Sequence, residues 1–230
     1  MKNNYKNKIN EMKQDICNKN YILSWDLDRL IDLHNDASWD LDHLIDLHNE
    51  AWLVKFPGYE NIRLSLLREY NLPERIEFDA VFDAIQSSDY PINNVDWNIM
   101  SQKMLNTLLS VGNFRYKAIP IVMVDCEVIG LGGQRSEKED HRFIAVQLLE
   151  HLDIFDWENS VYEPDLTITD LVDSIDKLVL KQPQDGFPPI FRLSVYPYVL
   201  FVSGKARMAL EQAGIKGVVF EEIENYDLTI

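Results

Sequence analysis

Cysteine is almost absent from this chain: Cys17 and Cys126 are the only two in 230 residues. So few, so far apart, exclude a disulfide framework and a thiolate metal site, and both are expected reduced. Long apolar runs are missing too. No stretch approaches the ~18 apolar residues of a membrane span, and the first twenty residues lack the apolar segment of a secretory signal. The expected location is the cytoplasm of the producing cell. Basic residues are scarce, 22 Lys and Arg against 38 Asp and Glu, for a formal charge of -16. That balance argues against nucleic acid or an anionic membrane as partner and favours a basic one, although plain solubility would also be served. The charge is uneven: residues 1–23 hold five Lys against Glu11 and Asp15, so residues 24–230 carry -19.

What is present begins with a duplication. The 14 residues from Ser24 to Ala37 recur as Ser38 to Ala51, with only Arg29 replaced by His43 and Asp36 by Glu50. Fourteen residues make about four helical turns, so a second copy preserves an apolar stripe on a helix. One helix would align Leu27, Leu30, Ile31, Ala37, Leu41, Leu44, Ile45 and Trp52 with His34 and His48, and would place Asp28, Asp32, Asp36, Asp46 and Glu50 opposite. The two histidines would stand about 21 Å apart, too far to share a metal. Trp25 and Trp39 fall on the acidic face, which makes them candidates for contact with a partner. Two short helices, N-capped by Ser24 and Ser38, are the alternative.

After Phe56-Pro57-Gly58, the spacing of Ile62, Leu66 and Leu67 predicts another helix ending near Pro73. Phe78, Val81, Phe82 and Ile85 fit a helix, and Ile76-Glu77-Phe78 fits a strand. A loop over 87–94 divides this region from the rest. The expected organisation is a basic polar arm over 1–23, a helical region over 24–90 and an α+β domain over 91–230.

Within that last part, Pro188-Pro189 interrupts the chain, and Ile190 to Leu193 and Tyr198 to Val202 read as short strands. Ser203 is placed to cap a helix carrying Ala206, Ala209, Leu210 and Ala213, ended by Gly214 and followed by a strand from Ile215 to Ile223. Ser101, Leu108 and Gly112 repeat the spacing of Ser203, Leu210 and Gly214 at a separation of 102 residues, with a strand-like run from Phe114 to Val124. Two copies of one helix-Gly-strand unit are inferred, a pseudo-twofold axis being one way to relate them. Phe143 to Leu149 has the composition of a buried strand. The expected fold class is α+β: a helical N-terminal part followed by a mainly antiparallel sheet with helices packed on one side.

Catalytic patterns are weak, and neither a catalytic residue nor a cofactor is expected. Gly130, Gly132 and Gly133 lack nucleotide-loop spacing and fit a hairpin turn better. Ser101 and Ser203 each have Lys two residues on, where a Ser-Lys nucleophile needs it one helical turn away. Glu150, His151, Asp153, Asp156 and Glu158 crowd into nine residues. Two or three could approach one metal, but no second cluster completes the set, so no metal site is expected.

Several segments carry a resemblance. Phe191-Arg192-Leu193, Phe201-Val202-Ser203, Ala209-Leu210, Ala213-Gly214-Ile215-Lys216-Gly217 and Phe220 resemble the C-terminal signature of a family of bacterial immunity proteins from polymorphic toxin systems, typified by a myxobacterial protein. Asp156-Trp157-Glu158-Asn159-Ser160 and the segment from Ile175 to Val179 agree with its middle. The similarity covers Ser87 to Ile223. It implies an antitoxin, without chemistry of its own, that binds and silences a cognate secreted toxin domain. A basic toxin would be steered by acidic side chains and held by aromatic anchors. Candidates for that surface are Asp153, Asp156, Trp157 and Glu158, then Glu137, Glu139 and Asp140, with Trp25 and Trp39 apart. A metal-dependent hydrolase built on residues 150–158, and a regulatory or scaffolding module assembled through the duplicated helix, are the rival readings. The oligomeric state is left open.

Overall fold

A computed structural model of the chain describes residue 16 and residues 19–26, 50–127, 134–223 and 228–229. Most of the duplication, including Trp39, His34 and His48, and the glycines at 130, 132 and 133 lie outside the described residues. Among them no helix is long and apolar enough to cross a membrane.

The helical N-terminal part is not what these residues form. Strand β1 (Asn20–Trp25) includes Ser24 and Trp25, where the duplicated helix was expected to start. Its Tyr21, Ile22 and Leu23 are buried, and strand β2 (Ala51–Leu53) takes the other end of the duplication. Glu50, expected on a solvated acidic face, is only 2% exposed, because its carboxylate accepts from Ile92 N at 3.1 Å. The helix expected at Ile62 is instead a 3-10 turn at Tyr59–Asn61 followed by turns. Next come strand β3 (Glu77–Ala80) and the one-turn helix α1 (Phe82–Ile85), so each reading of residues 76–85 holds for part of the stretch.

The remaining elements are β4 (Ile99–Ser101), α2 (Gln102–Val111), β5 (Tyr116–Pro120), β6 (Val122–Cys126), β7 (Arg135–Asp140), β8 (Phe143–Leu148), β9 (Val161–Pro164), β10 (Val172–Lys177), β11 (Ile190–Phe191), β12 (Phe201–Ser203), α3 (Gly204–Gln212), β13 (Val218–Glu222) and β14 (Leu228–Thr229). They make four small sheets, not one sheet with helices on a single side: β11-β12-β1-β13, β4-β8-β5, β2-β3-β6-β7 and β14-β10-β9. Among the described residues every pairing between these strands is antiparallel except β3 with β6. The fold is thus mostly β with three helices among the described residues.

The 102-residue repeat is real in the strand ladders. β4 and β5 flank β8, with Met100 and Pro120 both opposite Ile144. β12 and β13 flank β1, with Val202 and Glu222 both opposite Tyr21. Each paired residue of β4 and β5 therefore has its counterpart 102 positions later in the same place of the second unit. Each unit is a strand-helix-strand with an antiparallel strand inserted between its two strands, a split βαβ arrangement. The cap chemistry repeats as well: Ser101 Oγ accepts from Met104 N at 3.1 Å and Ser203 Oγ from Ala206 N at 3.4 Å. The glycines differ. Gly214 turns the chain at φ +62, whereas Gly112 is extended. Helices α2 and α3 share a core of Met104, Leu105, Leu108, Ala206 and Leu210, closed below by Tyr21, Leu23, Val146 and Leu148.

Asp89 joins the two units. Its carboxylate accepts from Ser101 Oγ at 2.6 Å and from Lys216 N at 3.1 Å. A second core lies around Phe78, Trp97, Ile99 and Phe143, and a third around Ile22, Phe155, Phe191, Leu193 and Phe201. Phe155 links the third core to the surface turn that carries Trp157.

Candidate functional site

The four candidate residues between 153 and 158 each occupy a distinct place on one surface turn. Phe155, 1% exposed, fixes the turn to the core, and the backbone on either side is tied to residues 179–181: Asp156 N donates to Val179 O at 3.0 Å and Lys181 N to Ile154 O at 2.7 Å. The Asp156 carboxylate accepts from Glu158 N at 3.1 Å, Asn159 N at 3.3 Å and Asn159 Nδ2 at 2.8 Å. These bonds, the Asn159 side chain first, hold its carboxyl below the usual range, so Asp156 shapes the turn from within. Ser160, the last residue of the motif, closes it by accepting from Val179 N at 3.0 Å.

Such a rigid turn presents Trp157. Its indole remains 40% exposed while one edge packs on Phe155 at 4.7 Å and on Tyr162 at 5.1 Å between ring centroids. The three rings pack edge to face in a closed triangle, so the tryptophan is held in orientation yet open to solvent. Asp153 and Glu158 are exposed beside it. The β9–β10 hairpin that supplies Tyr162 also exposes Val161, Leu166 and Ile168, the leucine at 96%. Its tip is held by Asp165, which accepts from Thr167 N at 2.6 Å and Ile168 N at 2.9 Å. Sequence reasoning passed over this hairpin, although Val161-Tyr162 and Leu166-Thr167-Ile168 alternate as strand ends do.

A different sheet carries the second group of candidates. Glu137, Glu139 and Asp140 lie on β7, the edge strand beside β6. Here Arg75 bridges Glu77 and Glu139, Arg135 bridges Glu77 and Asp79, and Arg142 holds Asp140 at 2.7 Å. The Arg75 guanidinium keeps the Glu139 carboxyl below its usual range. Negative charge on this face is largely balanced by the chain's own arginines, and only Glu137 of the three has no partner among the described residues. Charged side chains along an edge strand also discourage pairing with other chains.

Trp25 stands apart from both groups. It is half-buried at the end of β1 against Tyr90, with ring centroids 6.2 Å apart.

Residues 150–158 do not converge on a metal: among the described residues no three His, Cys, Asp or Glu side chains are placed to hold one. His151 sits in the protein, where burial first and the nearby Arg192 second push its pKa down to about 4. Ser101 and Ser203 spend their hydroxyls on the caps already described. Lys103 reaches Gly214 O at 3.1 Å.

No curated protein matches the chain. A sequence model of the immunity protein family named Imm11 matches residues 34–225, which extends the similarity well ahead of Ser87 and takes in every strand of both split units except β1. Over that span, from the second half of the first duplicated copy to the end of β13, the chain belongs to the Imm11 immunity protein family.

Proposed function

We propose that this protein binds a cognate toxin domain directly and silences it by occupying the surface the toxin needs, with no turnover of its own. The observation that carries the reading is Trp157: a large ring, fixed in orientation by two other rings, left 40% open to solvent between Asp153 and Glu158. Interface energy concentrates in such preorganised aromatic residues, and surrounding charges act chiefly on encounter rate. A toxin domain with a basic patch around an apolar pocket fits this face. With 38 acidic against 22 basic residues overall, neither nucleic acid nor an anionic membrane is a suitable partner.

The test is co-purification with the product of each gene adjacent to its own, followed by Trp157→Ala in any complex that forms. Loss of a central tryptophan should cost at least ~2 kcal/mol, roughly 30-fold in Kd. Asp153→Asn with Glu158→Gln should slow association and reduce its salt dependence. Glu137→Gln, on the distant edge strand, should change neither. A complex that forms with unchanged affinity in Trp157→Ala would move the contact to another face; failure of any neighbouring toxin to bind would remove the function itself.

A further inference from the structure

A second feature, away from Trp157, carries two buried donors without partners on one cavity. The cavity, about 450 Å³, lies between β1 and the segments around Tyr90 and Arg192. Arg192 is 3% exposed. It donates from Nη1 to Pro197 O at 2.6 Å and from Nη2 to Asn98 Oδ1 at 3.1 Å, while its Nε has no partner among the described residues. No described carboxylate comes within ion-pair range of it either. The buried indole N–H of Trp25 is likewise unpartnered among the described residues, and Trp25 lines the same cavity.

An unmet buried donor costs about 1–3 kcal/mol, and an unpaired buried charge more. Both residues line the same cavity, and the charge calls for a negative acceptor there. The other walls narrow its chemistry. Leu23, Tyr90 and Leu200 are apolar surface, whereas Asp96 and Glu221 also line the cavity and oppose a second negative charge. The size and mostly apolar lining fall within the range of small-molecule sites.

We propose that this cavity binds a small carboxylate with an apolar body and one negative charge, its oxygens accepting from Arg192 and Trp25. A free acid of that kind, independent of any toxin, is the occupant.

The experiment uses the full chain and follows the Arg192 Nε–H resonance by ¹H–¹⁵N NMR, identified by its loss in Arg192→Lys, during titration with phenylacetate at constant ionic strength. Phenylacetamide, the neutral isostere, and inorganic phosphate are the comparison probes. The resonance should shift and saturate with phenylacetate, and the melting temperature should rise with it. Both comparison probes should bind at least tenfold more weakly, as expected from losing one charge-assisted hydrogen bond. Should Arg192→Lys fail to fold, the Nε–H signal is assigned in the wild type, and Trp25→Phe, which removes only the second donor, should weaken phenylacetate several-fold. An unmoved resonance and melting temperature would show that the cavity holds water alone, and an equal response to phenylacetamide would show that it does not recognise the charge; either result overturns the proposal.

Discussion

Replacing Gly204 by Ala should destabilise the protein, although it puts the better helix former into a helix. Gly204 is the first residue of α3, where Ala is ordinarily favoured by up to about 1 kcal/mol. Here a Cβ would stand 1.7 Å from Ile16 O, 2.7 Å from the carbon of that carbonyl and 2.9 Å from Lys19 O. All three are backbone atoms, so no side chain can swing aside. The segment leading into β1 must move, and with it goes the bond from Gly204 N to Lys19 O, now 2.8 Å, worth about 1 kcal/mol net. Strain then reaches the adjacent pair Asn20 and Ser203 at the end of the β1–β12 ladder. The overlap and the lost bond outweigh the propensity gain, leaving about 1–3 kcal/mol of destabilisation. For a chain of this length that is a fall of roughly 3–10 °C in Tm, measured by calorimetry against Lys205→Ala, an exposed neighbour expected to be neutral. A Gly204→Ala protein as stable as the wild type, or more so, would refute the close approach.

The two caps should separate by what else they hold. Ser203→Ala loses one cap, about 1 kcal/mol, whereas Ser101→Ala also cuts the 2.6 Å bond to Asp89 and should cost distinctly more in urea unfolding. His151 should make stability depend on pH. Its folded pKa of about 4 lies below the ordinary histidine value of 6.5, so between those values the unfolded chain binds more protons. The stability is fully present above about 6.5 and declines as pH falls towards about 4; His151→Gln should flatten that slope in urea midpoints taken across the window.

The parts of this fold that are legible in sequence are those whose chemistry is local. Ser101 and Ser203 announce caps because the hydroxyl meets an amide three residues on, and Gly214 announces its turn because the residue itself supplies the positive φ. The matched spacing of the two units is legible for the same reason. Strand β1 is not, because Tyr21-Ile22-Leu23 lies between a Lys-rich arm and a duplication whose 14-residue period suits a helix. What decides is pairing with residues about 180 positions away. Residues 62–67 show the same effect: Gln147 Nε2 donates to Leu66 O at 3.0 Å and Arg68 O at 2.8 Å, satisfying carbonyls that an isolated segment would satisfy by coiling. Pro120 and Ile121 split the run from Phe114 to Val124 into β5 and β6, which join different sheets. At the candidate surface, Trp157 and its acidic neighbours are readable as a motif. The orientation of the ring is not, since Tyr162 reaches it from another strand.

Both split units leave a slot for one antiparallel strand, and they fill it from different places in the chain. β8 lies between the two units in sequence, so the first unit closes once β8 has been made. The second takes β1, which precedes everything it pairs with. Three of its side chains, Tyr21, Ile22 and Leu23, are at most 5% exposed, and their burial at about 2 kcal/mol each gives about 6 kcal/mol. That is comparable with the whole stability of a typical domain, before counting the ladders to β12 and β13. Removing residues 1–26 should therefore leave two unpaired strand edges and no cooperative unfolding transition. Adding a peptide spanning residues 19–26 should restore the transition if the slot forms without its own strand. A truncated protein that melts like the intact one would show that β1 only decorates the second unit, and the equivalence of β1 and β8 would fall with it.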